Sequence, residues 1–182
     1  MQEKKPSFQP VALGLTIAAA LLRLVPHPYN FTPVGGAALF GGARLSGWQA
    51  YLVPLLAMLV TDPILSHMAG YPAYSTATLV IYFSLAIYVL LGRKLIGSST
   101  NPWRIGGVTL LGSIQFFLIT NFFVWYGDAT YPHTLAGLSA CYVAALPFFS
   151  RTLAGDLFYS AALFSAYAIL SRKLEPEAKR IA

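Results

Sequence analysis

Charge is the scarcest property of this sequence. Only 10% of its 182 residues are Asp, Glu, Lys or Arg, where an average soluble domain carries about 25%. So few charged groups cannot build a water-facing exterior. This excludes an ordinary soluble domain and points to a polytopic membrane protein lying in a lipid bilayer. Cysteine is nearly absent as well. Cys141 stands alone, which excludes an internal disulfide and a cysteine-rich metal cluster. No small-residue cleavage site of the A-x-A type follows the first apolar run, so that run is expected to stay in place as a span. No nucleotide-binding motif, intramembrane-protease pattern or paired-carboxylate pattern occurs, and there are no repeats or low-complexity tracts. The expectation is a protein that is not an enzyme and carries no cofactor.

What the chain has in quantity is apolar side chains, 57% of the total. Five runs, at about 9–25, 47–66, 74–92, 105–126 and 150–171, come near the ~20 residues needed to cross the hydrocarbon core. A sixth, TPVGGAALFGGA at about 33–44, is short and glycine-rich. It makes sense as a span only when packed against neighbours, because Gly and Ala let backbones approach closely; Ala37/Gly41 and Ala38/Gly42 have the required spacing. Thr32 is a candidate N-cap for this helix, with Pro33 at its first position. The stretch before it, PHPYN, is held extended by its prolines and is expected to fold across the outer mouth of the bundle, with a simple tight connector as the plainer reading.

The positive charges support six crossings. With the N-terminus inside, Lys4, Lys5, Arg44, Arg93, Lys94, Arg104, Arg172, Lys173, Lys179 and Arg180 fall on the cytoplasmic side, and only Arg23 and Arg151 fall outside. That is a strong positive-inside bias. Omitting the short second span would invert every later loop. The formal charge of +6 is therefore a topology signal, and no nucleic-acid partner is expected. The run LAGLSACYVAALPFF is short and interrupted by Pro147. Counting it as a seventh span would send the basic tail outside, so a separate interfacial helix at about 135–147 is expected instead. The expected fold is all-α, one membrane domain over 1–182: an integral membrane six-helix bundle with a short glycine-rich second helix and that extra short interfacial helix in the last outer loop.

The outer loops then hold all three histidines, and Tyr29, Tyr71, Tyr74, Tyr126 and Tyr131 fit an aromatic belt. Arg23, Asp62 and Asp156 lie roughly 3 to 9 Å below the outer boundary at 1.5 Å per residue, with Arg151 at the mouth. Charges at such depth face the interior and pair with something. Two readings stay open. The four groups pair among themselves and pin helices together, or they line an outward pocket that grips a polar molecule. Asp62 precedes Pro63, where a break in the helix would free backbone carbonyls. Asn121 and Trp125, one turn apart, could line the same layer, while Gln115 suits an interhelical hydrogen bond. Candidate metal ligands are His27, His67, His133, Cys141, Asp62 and Asp128, but none has tight ligand spacing, and no metal site is assigned.

The strings LRLVPHPYNFTPVGGAALFGGA, LVPLLAMLVTDPIL, TNFFVWY and YPHTLAGLSACYVAALPFFSRTLAGDLFYSAALF resemble a bacterial family of six-span membrane proteins labelled as transport proteins, over about residues 10 to 170. That family is similar in layout to the substrate-binding S components of energy-coupling-factor vitamin transporters. The resemblance implies a six-helix subunit of the bacterial inner membrane, both termini cytoplasmic, with a substrate pocket near the outer face. It also implies a transmembrane coupling subunit with ATPases as a partner. Small residues of the first helix face that subunit in S components, and Gly14 and Ala18 have small-xxx-small spacing here, without an Ala-xxx-Ala pair. The expected function is capture of a small polar organic compound, a vitamin or cofactor precursor, by Asn30, Asp62, Asn121, Trp125, Arg151 and Asp156. The alternatives are transport of a metal ion or a metal-bearing cofactor such as a corrinoid, and a non-transporting scaffold whose buried charges only hold helices together.

Overall fold

The computed structural model describes residues 9–70, 72–127 and 129–181, with side chains from 10 to 174 within those ranges. Lys4, Lys5, Tyr71 and Asp128, and the side chains of Lys179 and Arg180, lie outside them. The described chain is all-helical: α1 (Gln9–Leu22), α2 (Val34–Arg44), α3 (Gln49–Ala69), α4 (Thr76–Leu91), α5 (Pro102–Gly127) and α6 (Leu135–Ile181). A single π-turn, Gly92–Ile96, extends α4.

Four helices are long and apolar enough to cross a membrane: α3, α4 with its π-turn, α5 and α6. The other two are shorter. At 1.5 Å per residue, the 14 residues of α1 and the 11 of α2 give about 21 and 16 Å, against a hydrocarbon core of about 30 Å. The bundle is apolar without, and its interior mixes apolar side chains with buried polar ones. Leu79, Phe83 and Val60 are more than 60% exposed, while Thr16, Ser84, Thr109, Ser113, Asp156 and Ser160 are buried. A continuous apolar exterior of this kind fits lipid as its solvent. Three interior hydroxyls bond back to carbonyls one turn earlier: Thr16 to Ala12 (2.8 Å), Thr61 to Ala57 (2.8 Å) and Thr109 to Ile105 (2.8 Å). These three need no water.

Helix α2 is the hub of this packing. Every residue from Gly35 to Arg44 is buried, and the helix meets all five others. Its small residues permit this. A Cβ on Gly42 would collide with the Val89 carbonyl of α4, one on Gly36 would sit 2.9 Å from the Ser160 amide of α6, and Gly41 rests against Pro54 of α3 and Thr16 of α1. Where the helix widens, at Phe40, the ring meets Phe164 edge-on at 5.2 Å. The glycine-rich segment is thus the axis of the bundle. It begins one residue later than expected: Pro33 occupies the N-cap, no side chain caps it, and Thr32 lies outside.

Helices successive in the chain alternate in direction. Gly35 lies beside Asp156, and Arg44 over the Tyr167 ring, so α2 and α6 run the same way. Ser113 meets Asp156 while Trp125 meets Pro132, so α5 runs against α6. Arg23 and Asp62 meet after α1 and late in α3, and Tyr82 joins them early in α4.

Two expectations about the helices are corrected. Residues 135–147 are not a separate interfacial helix; they are the first four turns of α6, which runs unbroken through Pro147 for 47 residues. Packing along α5 holds that stretch in line: Tyr142 donates to the Leu118 carbonyl (2.7 Å), the Phe117 and Phe149 rings lie 4.9 Å apart, and Cys141 Sγ–H points to the Asn121 carbonyl (3.5 Å). Nor does α3 break at Pro63; it continues to Ala69 with Pro54 and Pro63 inside. A proline at 63 deprives the Leu59 carbonyl, four residues earlier, of its helical donor. The Tyr74 hydroxyl fills the gap from the loop before α4, at 2.8 Å.

Candidate functional site

Three polar constructions occupy the half of the bundle that holds the α1–α2, α3–α4 and α5–α6 connections. The first is an ion pair. Arg23 Nη1 lies 2.5 Å from Asp62 Oδ1 and also donates to Thr61 Oγ1 at 2.8 Å. Tyr82 donates to the other carboxylate oxygen at 2.7 Å. Both charges are largely shielded, 16% and 11% exposed, and each oxygen of Asp62 has a partner. This group ties α1, α3 and α4 together.

The second is Asp156, 2% exposed. Among the described residues no cation pairs with it; its Oδ2 accepts from the Tyr88 hydroxyl at 2.5 Å and from Ser113 Oγ at 2.7 Å. These bonds join α4, α5 and α6. The opposite side of the carboxyl presses on α2, where Gly35 leaves the room it needs: a Cβ there would collide with Asp156 Oδ1. The four deep charges therefore do not form one neutral network. Arg23 and Asp62 pair, Asp156 is held by neutral hydroxyls, and Arg151 is exposed on α6.

The third is a cavity of about 170 Å³ between α5, α6 and the α1–α2 loop. Asn30, Ser113, Thr120, Asn121 and Thr152 line it, and Phe116, Phe117, Phe148 and Phe149 supply apolar walls. Asn30 adopts φ 63°, the left-handed region that asparagine tolerates better than most residues. A turn closed by Phe31 N–H to the Pro28 carbonyl (3.0 Å) presents it. The next residue anchors the loop, with the Phe31 ring 5.7 Å from Phe158 and 5.6 Å from Tyr159 on α6. Asn121 spends one N–H on the Phe117 carbonyl at 2.8 Å. Thr120 and Thr152 bond to Phe116 and Phe148 in the same way. Ser113 belongs to both the cavity and the Asp156 cluster, so a buried carboxylate stands directly behind the cavity wall.

Of the six residues expected to bind a solute, Asn30 and Asn121 share the cavity, and Asp156 adjoins it through Ser113. The other three lie elsewhere. Asp62 is committed to Arg23, Trp125 donates its indole N–H to the Pro132 carbonyl at 2.9 Å, and Arg151 is exposed and does not line the cavity. Ser113, Thr120, Thr152 and Tyr88 are additions. Their signal in the sequence was present: Ser113, Thr120 and Asn121 recur at helical spacing on one face of an otherwise apolar span. Gln115 makes the interhelical bond expected of it, to the Ser84 carbonyl at 3.1 Å. The proposed metal ligands scatter. His27 bonds within its own loop to Val25, His133 packs on Trp125 and Tyr126, and Cys141 is buried against α5. Among the described residues no three His, Cys, Asp or Glu side chains gather.

A family model described as a family of unknown function, DUF6580, matches residues 3–178. The chain belongs to that family. No curated protein matches the sequence, and no solved structure matches the fold.

Proposed function

We propose that this protein is a six-span membrane protein that captures a small polar organic compound at its outer face, in the manner of the substrate-binding S components of vitamin uptake systems. In this reading α1 and α2 cross the bilayer with the help of the extended segment between them. ATP hydrolysis is supplied by a transmembrane coupling subunit with ATPases, since the sequence has no nucleotide-binding motif of its own. Gly14 and Ala18, exposed on α1, are available to such a partner.

The observation that carries the reading is the cavity where two carboxamides from distant parts of the chain, Asn30 and Asn121, share one wall system with three hydroxyls and four phenyl rings. Among the described residues the Asn30 side chain makes no hydrogen bond, so its carboxamide is free to meet a ligand. At about 170 Å³ the space lies below the ~300 Å³ where drug-sized pockets begin. It suits a compound with an aromatic or apolar face and a hydrogen-bonding edge.

The test is mass spectrometry of small molecules released from protein purified in mild detergent. The expected result is one compound near 1:1 in the wild type, reduced at least about tenfold in Asn121→Ala, as losing a ligand hydrogen bond and leaving its partner unsatisfied implies. A wild-type extract no different from empty detergent counts against the proposal. The scaffold reading draws on the Arg23–Asp62 pair, and Asp62→Asn separates the two. As a structural tie its loss lowers thermal stability while leaving any co-purified compound in place.

A further inference from the structure

A second and larger opening lies away from the cavity described above. A cleft of about 840 Å³ lies between α5 and α6 in the opposite half of the bundle, where the basic residues of the α4–α5 connection gather. Arg44 and Arg172 both line it, and among the described residues no Asp or Glu does. Arg44 is 4% exposed. Its guanidinium donates to the carbonyls of Gly97 and Ser99, the latter at 2.8 Å, and lies 4.8 Å over the Phe164 ring and 5.4 Å over the Tyr167 ring. All of these partners are neutral, and among the described residues the one ion pair is Arg23 with Asp62. A buried cation held only by dipoles and ring faces keeps its full charge available to an anion.

A second observation is independent of the first. Ser160, on the same cleft, is 1% exposed, and its Oγ has no hydrogen-bond partner. An unsatisfied buried hydroxyl costs about 1–3 kcal/mol. Ser160 sits one to two turns, about 6 to 10 Å along α6, from Phe164 and Tyr167, the rings beneath Arg44. Along the middle of α6 the rim of the cleft is apolar: Leu157 and Ala161 are exposed there, and both line it. The cleft therefore offers cations at one end, a hydroxyl donor one step further along, and an apolar exit towards the surrounding lipid.

We propose that this cleft binds an anionic phospholipid. The phosphate sits between Arg44 and Arg172, an ester carbonyl accepts from Ser160 Oγ, and an acyl chain leaves across Leu157 and Ala161. Basic pockets between membrane helices recognise such headgroups, with roughly 1 kcal/mol for each Arg near the surface. The site rests on the chain lying in a bilayer and does not depend on solute capture at Asn30 and Asn121.

The experiment is native mass spectrometry of the full chain after exchange into mixed micelles holding equal phosphatidylglycerol and phosphatidylcholine with matched chains. The expected result is one phosphatidylglycerol retained in preference to phosphatidylcholine, and a loss of about fivefold in that preference in Arg172→Gln, the equivalent of ~1 kcal/mol. Arg172 is exposed and, among the described residues, makes no bond that its replacement would break, so this variant decides even if Arg44→Gln fails to fold. Ser160→Ala is expected to weaken retention of ester-linked lipid and leave an ether-linked analogue unaffected. Equal retention of the two headgroups, or an Arg172→Gln protein that retains phosphatidylglycerol unchanged, overturns the proposal. Displacement of the lipid by free glycerol phosphate at comparable concentration also overturns it, by making the site one for a soluble anion.

Discussion

At the scale of single residues, polar groups in an apolar chain are easy to find and hard to pair. Asp62, Asn121 and Asp156 stand out of their spans because each is costly in lipid unless satisfied. What satisfies them depends on how each helix is rotated about its axis, which the weak polar–apolar asymmetry of these helices does not encode. Hence Asp62 could be found from the sequence but its bond to Tyr82 could not, and Asp156 could be found but not its two hydroxyl donors. The Tyr74 hydroxyl gives the sharpest residue-level test. Its place in the belt of aromatics hid a backbone role, completing the Leu59 carbonyl that Pro63 leaves without a donor. Tyr74→Phe is expected to lower stability in detergent by about 0.5–1.5 kcal/mol, the net worth of one hydrogen bond. In a Pro63→Ala background, where residue 63 regains its N–H, the same change is expected to cost measurably less. A double-mutant cycle by thermal or denaturant unfolding reads the coupling, and additive costs would refute the pairing.

At the scale of elements, α2 and α6 show where reading a sequence stops. The glycines and alanines of α2 announced close packing, and they are closely packed. Composition could not tell whether such a helix lies at the edge of a bundle or along its axis, because both need small residues on at least one face. Burial on every side from Gly35 to Arg44 answers that. For α6, Pro147 and a short apolar run suggested two helices, yet α5 supplies enough partners to keep one continuous helix through the proline. The packing of α2 yields a paired prediction. Gly35→Ala places a methyl group against the Asp156 carboxyl and is expected to destabilise by about 1–3 kcal/mol, the range for overpacking a well-filled core. Gly14→Ala has nothing within 4 Å of its new methyl and is expected to be neutral or slightly stabilising, since alanine is the better helix former. Melting temperatures of the two purified variants check this, and equal shifts would show that α2 is not held as described.

At the scale of the whole molecule, the alternation of helix direction sorts the charges between two ends. Arg44, Arg93 and Arg104 cap carbonyls at one end: Arg44 those of Gly97 and Ser99, Arg93 that of Gly47 at 2.8 Å, and Arg104 that of Leu95. The other end holds Arg23, already neutralised by Asp62, together with Asn30, Asn121 and the start of α6. The basic end holds Arg44, Arg93, Lys94, Arg104, Arg172 and Lys173 against Arg23 and Arg151 at the other, and cytoplasmic loops are where membrane proteins collect Lys and Arg. With the basic end inside, the Asn30–Asn121 cavity faces outwards and the Arg44 cleft meets the inner leaflet, where anionic lipids concentrate. The orientation can be tested directly, because the chain has a single cysteine and Cys141 is buried. In a Cys141→Ala background, a cysteine at the exposed Thr134 is expected to react with a membrane-impermeant maleimide added to intact cells. A cysteine at the exposed Ser98 is expected to react only after the cells are opened. The reverse pattern would turn the molecule over, placing the solute cavity on the cytoplasmic side and removing the basis for capture from outside. Labelling of both sites in intact cells would mean that α5, which separates them, does not cross the bilayer at all.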